Sequence, residues 1–198
     1  MARTIAKDHD QKKSRILKTA ARVFAEEGFD RASVSQLARE CGISKANIYH
    51  YYGSKDALLF DLLDTNLSEL LKRIQSVDIE GLSAEDALEL TLGEILLAYE
   101  GKDYEHQIQG TAMIHLPEQQ QEILKGYQIE MISCVSKMLR AVNFSCFEEN
   151  PDKLNDTTMS IFGMLNWFYM WNAKAGPEER KKYARLVKGL ILSGISGI

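Results

Sequence analysis

Three prolines in 198 residues, at positions 117, 151 and 177, leave long stretches of chain without a strong helix breaker. Pro117 opens PEQQQEIL and Pro177 opens PEERKKYARL, each followed by acidic residues and then an apolar repeat. Proline at the first helical position costs nothing, because that N–H has no intrahelical partner, and glutamate in the first turn meets the positive end of the helix. Both segments therefore read as helix starts, while Pro151, after Asn150, is assigned to a loop. Alternating apolar and polar runs between turn signals are absent, which leaves no reading as strands. The expected fold class is all-α, with about nine helices.

The apolar period places these helices. The first is expected over 10 to 27, closed by Gly28 with Phe29 beyond it. Short helices follow at 34 to 41 and 45 to 51, and a long one from 55 to 77 carries the stripe Leu59, Leu63, Leu67, Leu70, Ile74 and Val77. Ser83 with Asp86 resembles a capping box and starts a helix to Glu100. Further helices are expected over 103 to 113, over 117 to 143 and over 177 to 193. The one over 153 to 173 differs, since Ile161, Phe162, Leu165 and Phe168 or Tyr169 make one face and Gly163, Met164, Trp167, Met170 and Trp171 the opposite one. A helix apolar all round has no solvent face, so one side packs on the chain's own core and the other needs a second subunit or a ligand.

Composition narrows the class. With 45% hydrophobic and 26% charged residues the chain is neither disordered nor collagen-like. Its length allows one large domain or an unequal pair. Cys41, Cys134 and Cys146 are odd in number and form no CxxC pair, so they are expected to be reduced thiols in a cytoplasmic protein without a metal or cofactor. MARTIAKDHDQKKSR has no apolar signal region and no stretch is apolar for long enough to span a bilayer. An enzyme finds little support: GxSxG, a Gly-rich phosphate loop and Cys/His metal spacing are all missing, and His106 and His115 lack a supporting carboxylate pattern.

The chemistry concentrates in SVSQLARECGISKANIYHYY, residues 33 to 52. Val34, Leu37, Ala38 and Cys41 form the inner face of one short helix, Gly42 permits a sharp turn, and Ile43 and Ile48 anchor a second helix that crosses the first. This is the helix-turn-helix pattern, whose second helix enters the DNA major groove. Ser33 or Ser35 can cap the first helix and offer a donor to phosphate. Ser44, Lys45, Ala46 and Asn47 stand at the N-terminal end of the second, where Lys45 can donate to guanine and Asn47 can pair with adenine or bind phosphate. Tyr49, His50 and Tyr51 suit the sugar-phosphate wall, Lys55 is expected to clamp a phosphate, and Tyr52 is expected to pack inward.

RILKTAARVFAEEGFDRASVSQLARECGISKANIYHYYGSKDALLFDLLD resembles the TetR family of bacterial transcriptional regulators, through the first helix ending in EEGFDRASV, the turn CGIS and the sequence IYHYYGSK. The resemblance implies that Ser33, Ser35, Lys45, Ala46, Asn47, Tyr49, His50, Tyr51 and Lys55 touch DNA, although glycine is common in the family where this chain has Ala46. It implies a DNA-binding domain over 1–55 and an effector-binding, dimerising domain over 56–198. The helices at 153 to 173 and 177 to 193 resemble the pair that builds a four-helix bundle in a family homodimer. NWFYMWNAKAGPEERKKYARLVKGLIL is similar in layout to family members that respond to acyl-CoA thioesters of fatty-acid and phenylacetate breakdown. His106, Met113, Tyr127, Met131, Asn166, Trp167 and Trp171 are the candidate effector contacts, and Arg180, Lys181, Arg185 and Lys188 the candidate cations for CoA phosphates. The function so implied is a ligand-released repressor on a palindromic operator, with a protein–protein adaptor as the rival.

The acidic total of -4 does not oppose that reading, because it is unevenly spread. Residues 1 to 55 carry a net charge of +5 and residues 56 to 198 a net of -9. A basic reader joined to an acidic remainder confines a polyanion to the N-terminal face.

Overall fold

The computed structural model describes residues 2–172 and 174–194, and among them every regular element is helical. In chain order these are α1 (Ala2–Glu27), α2 (Val34–Cys41), α3 (Lys45–Tyr51), α4 (Lys55–Gln75), α5 (Ala84–Ala98), α6 (Asp103–Ala112), a 3₁₀ turn (Met113–His115), α7 (Glu118–Val142), α8 (Phe144–Glu148), α9 (Pro151–Trp167), α10 (Tyr169–Asn172) and α11 (Pro177–Ser193). No described helix is long and apolar enough to cross a membrane.

Most elements lie where the apolar period puts them, and the differences have local causes. Helix α1 begins at Ala2 rather than at residue 10, since ARTIAKDH contains neither glycine nor proline to stop it. Pro151 is not in a loop; it opens α9 in the same way that Pro177 opens α11. The expected helix 153 to 173 is broken at Phe168, whose N–H bonds the carbonyl of Leu165 at 3.2 Å, a tightened turn that separates α9 from α10. Helix α8 is too short to show a period, and its Cys146 N–H donates to the Asn143 side-chain oxygen at 3.3 Å.

The chain divides into two compact units. The first holds residues 1–66 together with 104–124, and so extends beyond the segment 1–55 and is interrupted in sequence; the second holds 67–103 and 125–198. In the first unit Ile16, Ala20 and Phe24 of α1, Leu37 and Ala38 of α2, Ile48 of α3, and Leu58, Leu59 and Leu62 of α4 are buried. In the second, α5 packs along α11 and α9, with Leu88, Leu92 and Ile95 buried alongside Ile161, Leu165, Ala184 and Val187. Each Ile, Leu, Val or Phe among them contributes roughly 1.5–3 kcal/mol by leaving water, set against chain entropy.

Candidate nucleic-acid interface

Two serines and one glycine shape α2 and α3. Ser33 caps α2, its Oγ accepting the N–H of Gln36 at 3.1 Å, and Ser44 caps α3, its Oγ accepting the N–H of Asn47 at 3.1 Å. Between them Gly42 sits at φ 64°, its N–H bonding Arg39 O at 3.1 Å while the N–H of Ile43 bonds Ala38 O at 3.0 Å. A side chain at that φ would be strained, and glycine is not. The inner face of α2 is Val34, Leu37, Ala38 and Cys41, all buried.

Helix α3 is held by one buried residue, Ile48. The consequence is that Ser44, Lys45, Ala46, Asn47, Tyr49 and His50 are exposed together, with Tyr51 half-buried and Ser33 and Ser35 exposed at the start of α2. Tyr49 keeps 45% of its surface in water, with the Lys45 ammonium 5.8 Å from its ring centroid. His50 meets Tyr51 edge-on at 5.7 Å. The row offers hydroxyl, amide, ammonium and imidazole groups at its ends and flat rings along its side, a donor set suited to base edges and phosphates.

The frame behind the row is polar and specific. Tyr52 caps the C-terminus of α3 and is buried; its hydroxyl donates to Asp61 Oδ2 at 2.7 Å, and Lys13 of α1 pairs with the same carboxylate at 3.0 Å. Burial, aided by Asp61, pushes the Tyr52 phenol far above its usual range. Arg22 of α1 bonds Glu40 of α2 and Glu26 of its own helix; the guanidinium holds the Glu40 carboxyl below the usual range. Lys55 does not project freely. Its Nζ donates to the carbonyls of Phe29 at 2.7 Å, Ala32 at 3.2 Å and Asp30 at 3.3 Å, and lies 4.3 Å from the Phe29 ring centroid. An ammonium has three N–H donors, and the α1–α2 loop engages all of them. The same loop receives His115, whose Nδ1 is 3.4 Å from Asp30 Oδ1 and whose ring is 5.2 Å from that of Phe29.

The candidate effector residues are dispersed. His106 and Met113 belong to the first unit, and Tyr127, Met131, Asn166, Trp167 and Trp171 to the second. Met131 is buried, and the Asn166 side-chain oxygen accepts the Tyr99 hydroxyl at 2.9 Å. Burial pushes the Tyr99 phenol up; this tyrosine, at the C-cap of α5, carried no motif that would have singled it out. Trp167 and Trp171 are 59% and 54% exposed, and Met159 and Met170 of the same segment and Leu186 of α11 are exposed as well. A cavity of about 660 Å³ in the second unit is walled by Leu139, Phe147, Lys153, Thr157, Lys188 and Ile191, and none of the seven candidates lines it.

The candidate phosphate cations need one correction. Arg180 is 1% exposed and lies inside the second unit, its Nε donating to Ala175 O at 3.1 Å and its Nη1 to Leu96 O at 3.0 Å. It closes the C-terminal turn of α5 and is not on a solvated helix face. Lys181 pairs with Glu178 at 3.3 Å, while Lys188 and Arg185 approach Glu89 at 2.5 and 3.6 Å.

Residues 16–62 match the family model of bacterial regulatory proteins of the tetR family, and residues 81–195 match that of the tetracyclin repressor-like C-terminal domain. A TetR-family transcriptional regulator from Bordetella parapertussis is similar over 94% of this chain and 96% of its own, with a TM-score of 0.86 and 30% identity. An uncharacterized HTH-type transcriptional regulator of Bacillus subtilis, YerO, is 33% identical over 86 residues, which make up 42% of this chain and 30% of that one. The chain spans less than a third of the length of YerO and of two further curated relatives it matches. The transcriptional regulator FadR from Bacillus subtilis, solved in complex with stearoyl-CoA, shares the fold, with a TM-score of 0.67 at 17% identity over 92% of this chain and 98% of its own.

Proposed function

Because the chain belongs to the TetR family of bacterial regulators, we propose that it is a homodimeric, effector-controlled repressor that reads a palindromic DNA operator with α3. The observation that carries this is the exposed row on α3, where burial of Ile48 alone leaves Lys45, Ala46, Asn47, Tyr49 and His50 turned to solvent beside the caps Ser33 and Ser44. Lys45 and Asn47 are the base readers; Ser33, Ser35, Ser44, Tyr49, His50 and Tyr51 hold sugar and phosphate, and the methyl group of Ala46 packs on the groove floor. Lys55 supports this surface from behind by tying α4 to the α1–α2 loop.

A second copy of the chain covers Met159, Trp167, Met170, Trp171 and Leu186 of α9, α10 and α11, since large apolar side chains left exposed on consecutive helices call for a partner surface. Twofold pairing sets two α3 helices about one DNA turn, roughly 34 Å, or a multiple of it apart. Trp167 and Trp171 then serve the dimer, and Tyr127, Met131 and Asn166 remain the candidate effector contacts within the second unit. An acyl-CoA thioester is the effector class that the fold shared with the stearoyl-CoA complex favours. Residues 55–66 of α4 lie in the first unit and 67–75 in the second, so effector binding has a continuous helix, about 32 Å long, to act through. The effector releases DNA only by binding the DNA-incompetent state more tightly.

A gel-shift titration on the DNA flanking its own gene, repeated across a chain-length series of acyl-CoA thioesters, tests the proposal. Retardation that one thioester abolishes while free CoA does not is the expected result. Retardation unaffected by every thioester rejects that effector class, and binding no tighter than to random duplex rejects the local operator.

A further inference from the structure

The first helix brings a residue to the DNA-reading surface that lies outside the helix-turn-helix motif. His9 of α1 packs its ring on that of Tyr51, with centroids 4.8 Å apart and planes inclined by 34°. Tyr51 is the last residue of α3 and is edge-on to His50 at 5.7 Å, so three rings from two helices form one cluster at the C-terminal end of α3. The His9 side chain is 53% exposed, with Nδ1 3.6 Å from Asp10 Oδ1. An exposed ring pair contributes little to folding. What the contact does achieve is a fixed place for an imidazole beside a residue suited to the sugar-phosphate wall.

Charge agrees with that placement. Residues 1 to 15 carry five lysines or arginines against two aspartates. Base edges are read at the N-terminal end of a recognition helix, whereas its far end lies along the backbone wall. We propose that His9 is an additional phosphate-contacting residue, donating an imidazole N–H to the DNA backbone next to Tyr51, an assignment that rests on the operator-binding reading above. Such a contact positions the duplex and carries no sequence information.

Three variants at one position test it by fluorescence anisotropy with operator and random duplexes. His9→Ala weakens both complexes by a similar factor, about 3- to 10-fold. His9→Phe, which keeps the ring on Tyr51 but has no N–H, weakens them equally; His9→Gln, which restores an N–H donor, recovers most of the affinity. Thermal midpoints of all three stay near wild type, because the contact is exposed. Wild-type affinity in His9→Ala overturns the inference, and so does wild-type affinity in His9→Phe, which would leave His9 a prop for the Tyr51 ring. A wild-type chain that retains neither duplex refutes the operator-binding reading itself, and this assignment with it.

Discussion

Replacing Lys55 by methionine separates two jobs that the sequence alone leaves in one residue. The side chain keeps its length and apolar stem and loses only the ammonium, whose three N–H groups reach the carbonyls of Phe29, Ala32 and Asp30 and whose charge faces the Phe29 ring. A hydrogen bond from a charged donor contributes about 1.5–3 kcal/mol, and only the 2.7 Å bond to Phe29 is both short and partly buried. The two longer bonds add fractions of that, and the cation–π contact about 0.5–1 kcal/mol. The expected loss is therefore about 2–4 kcal/mol, which in a chain of this size lowers the thermal midpoint by on the order of 8 °C. Urea unfolding followed by circular dichroism should show a lower midpoint with an unchanged slope. A phosphate clamp predicts otherwise: stability would be untouched, while the salt dependence of DNA binding would become shallower by about 0.9. That second pattern would make Lys55 a DNA contact and not a brace for the α1–α2 loop.

Other substitutions probe the frame and the surface separately. Tyr52→Phe removes the hydroxyl bonded to Asp61 and costs about 1–2 kcal/mol at neutral pH. Since the folded phenol is held protonated far above its unfolded value near 10, its contribution is present below pH 10 and is lost as pH rises beyond it; wild type should therefore lose about 1.4 kcal/mol per pH unit more than Tyr52→Phe in alkaline urea titrations. Arg180→Met strands the buried carbonyl of Leu96 and the half-buried one of Ala175 and should cost about 2–4 kcal/mol, seen as a lower thermal midpoint, whereas a solvated Arg180 would leave it unchanged. Gly42→Val forces a branched side chain to φ 64° and should destabilise by about 2 kcal/mol or more in denaturant unfolding. Trp171→Glu should convert the proposed dimer to a monomer in light scattering; a dimer that persists would remove Trp171 from the interface.

What could be read in advance depended on sequence distance. The turn between α2 and α3 was legible because its determinants are local: Ser33, Gly42 and Ser44 act within three or four residues, and Ile48 is the apolar residue of a short polar helix. The start of α9 was missed because Asn150 supplies no side-chain cap bond and Pro151 alone reads equally as loop or helix start. The break at Phe168 lay inside a continuous apolar run that offered no breaker. Side-chain destinations were the least legible. Lys55 bonds carbonyls 23 to 26 residues away and Arg180 one that is 84 away, so each looked like a free surface cation until the fold brought its acceptors to it. The His9 contact with Tyr51 escaped for the same reason.

The proposed function rests on sequence reading by α3. A competition titration of a labelled duplex from the region flanking its own gene, against random duplex, measures it most directly when wild type is compared with the double variant Lys45→Ala, Asn47→Ala. Wild type should prefer the flanking duplex by at least about 10³-fold, and the double variant should lose most of that preference while retaining weak, salt-sensitive binding to both. Equal affinity of wild type for the two duplexes, or a preference that survives the double substitution, would contradict it.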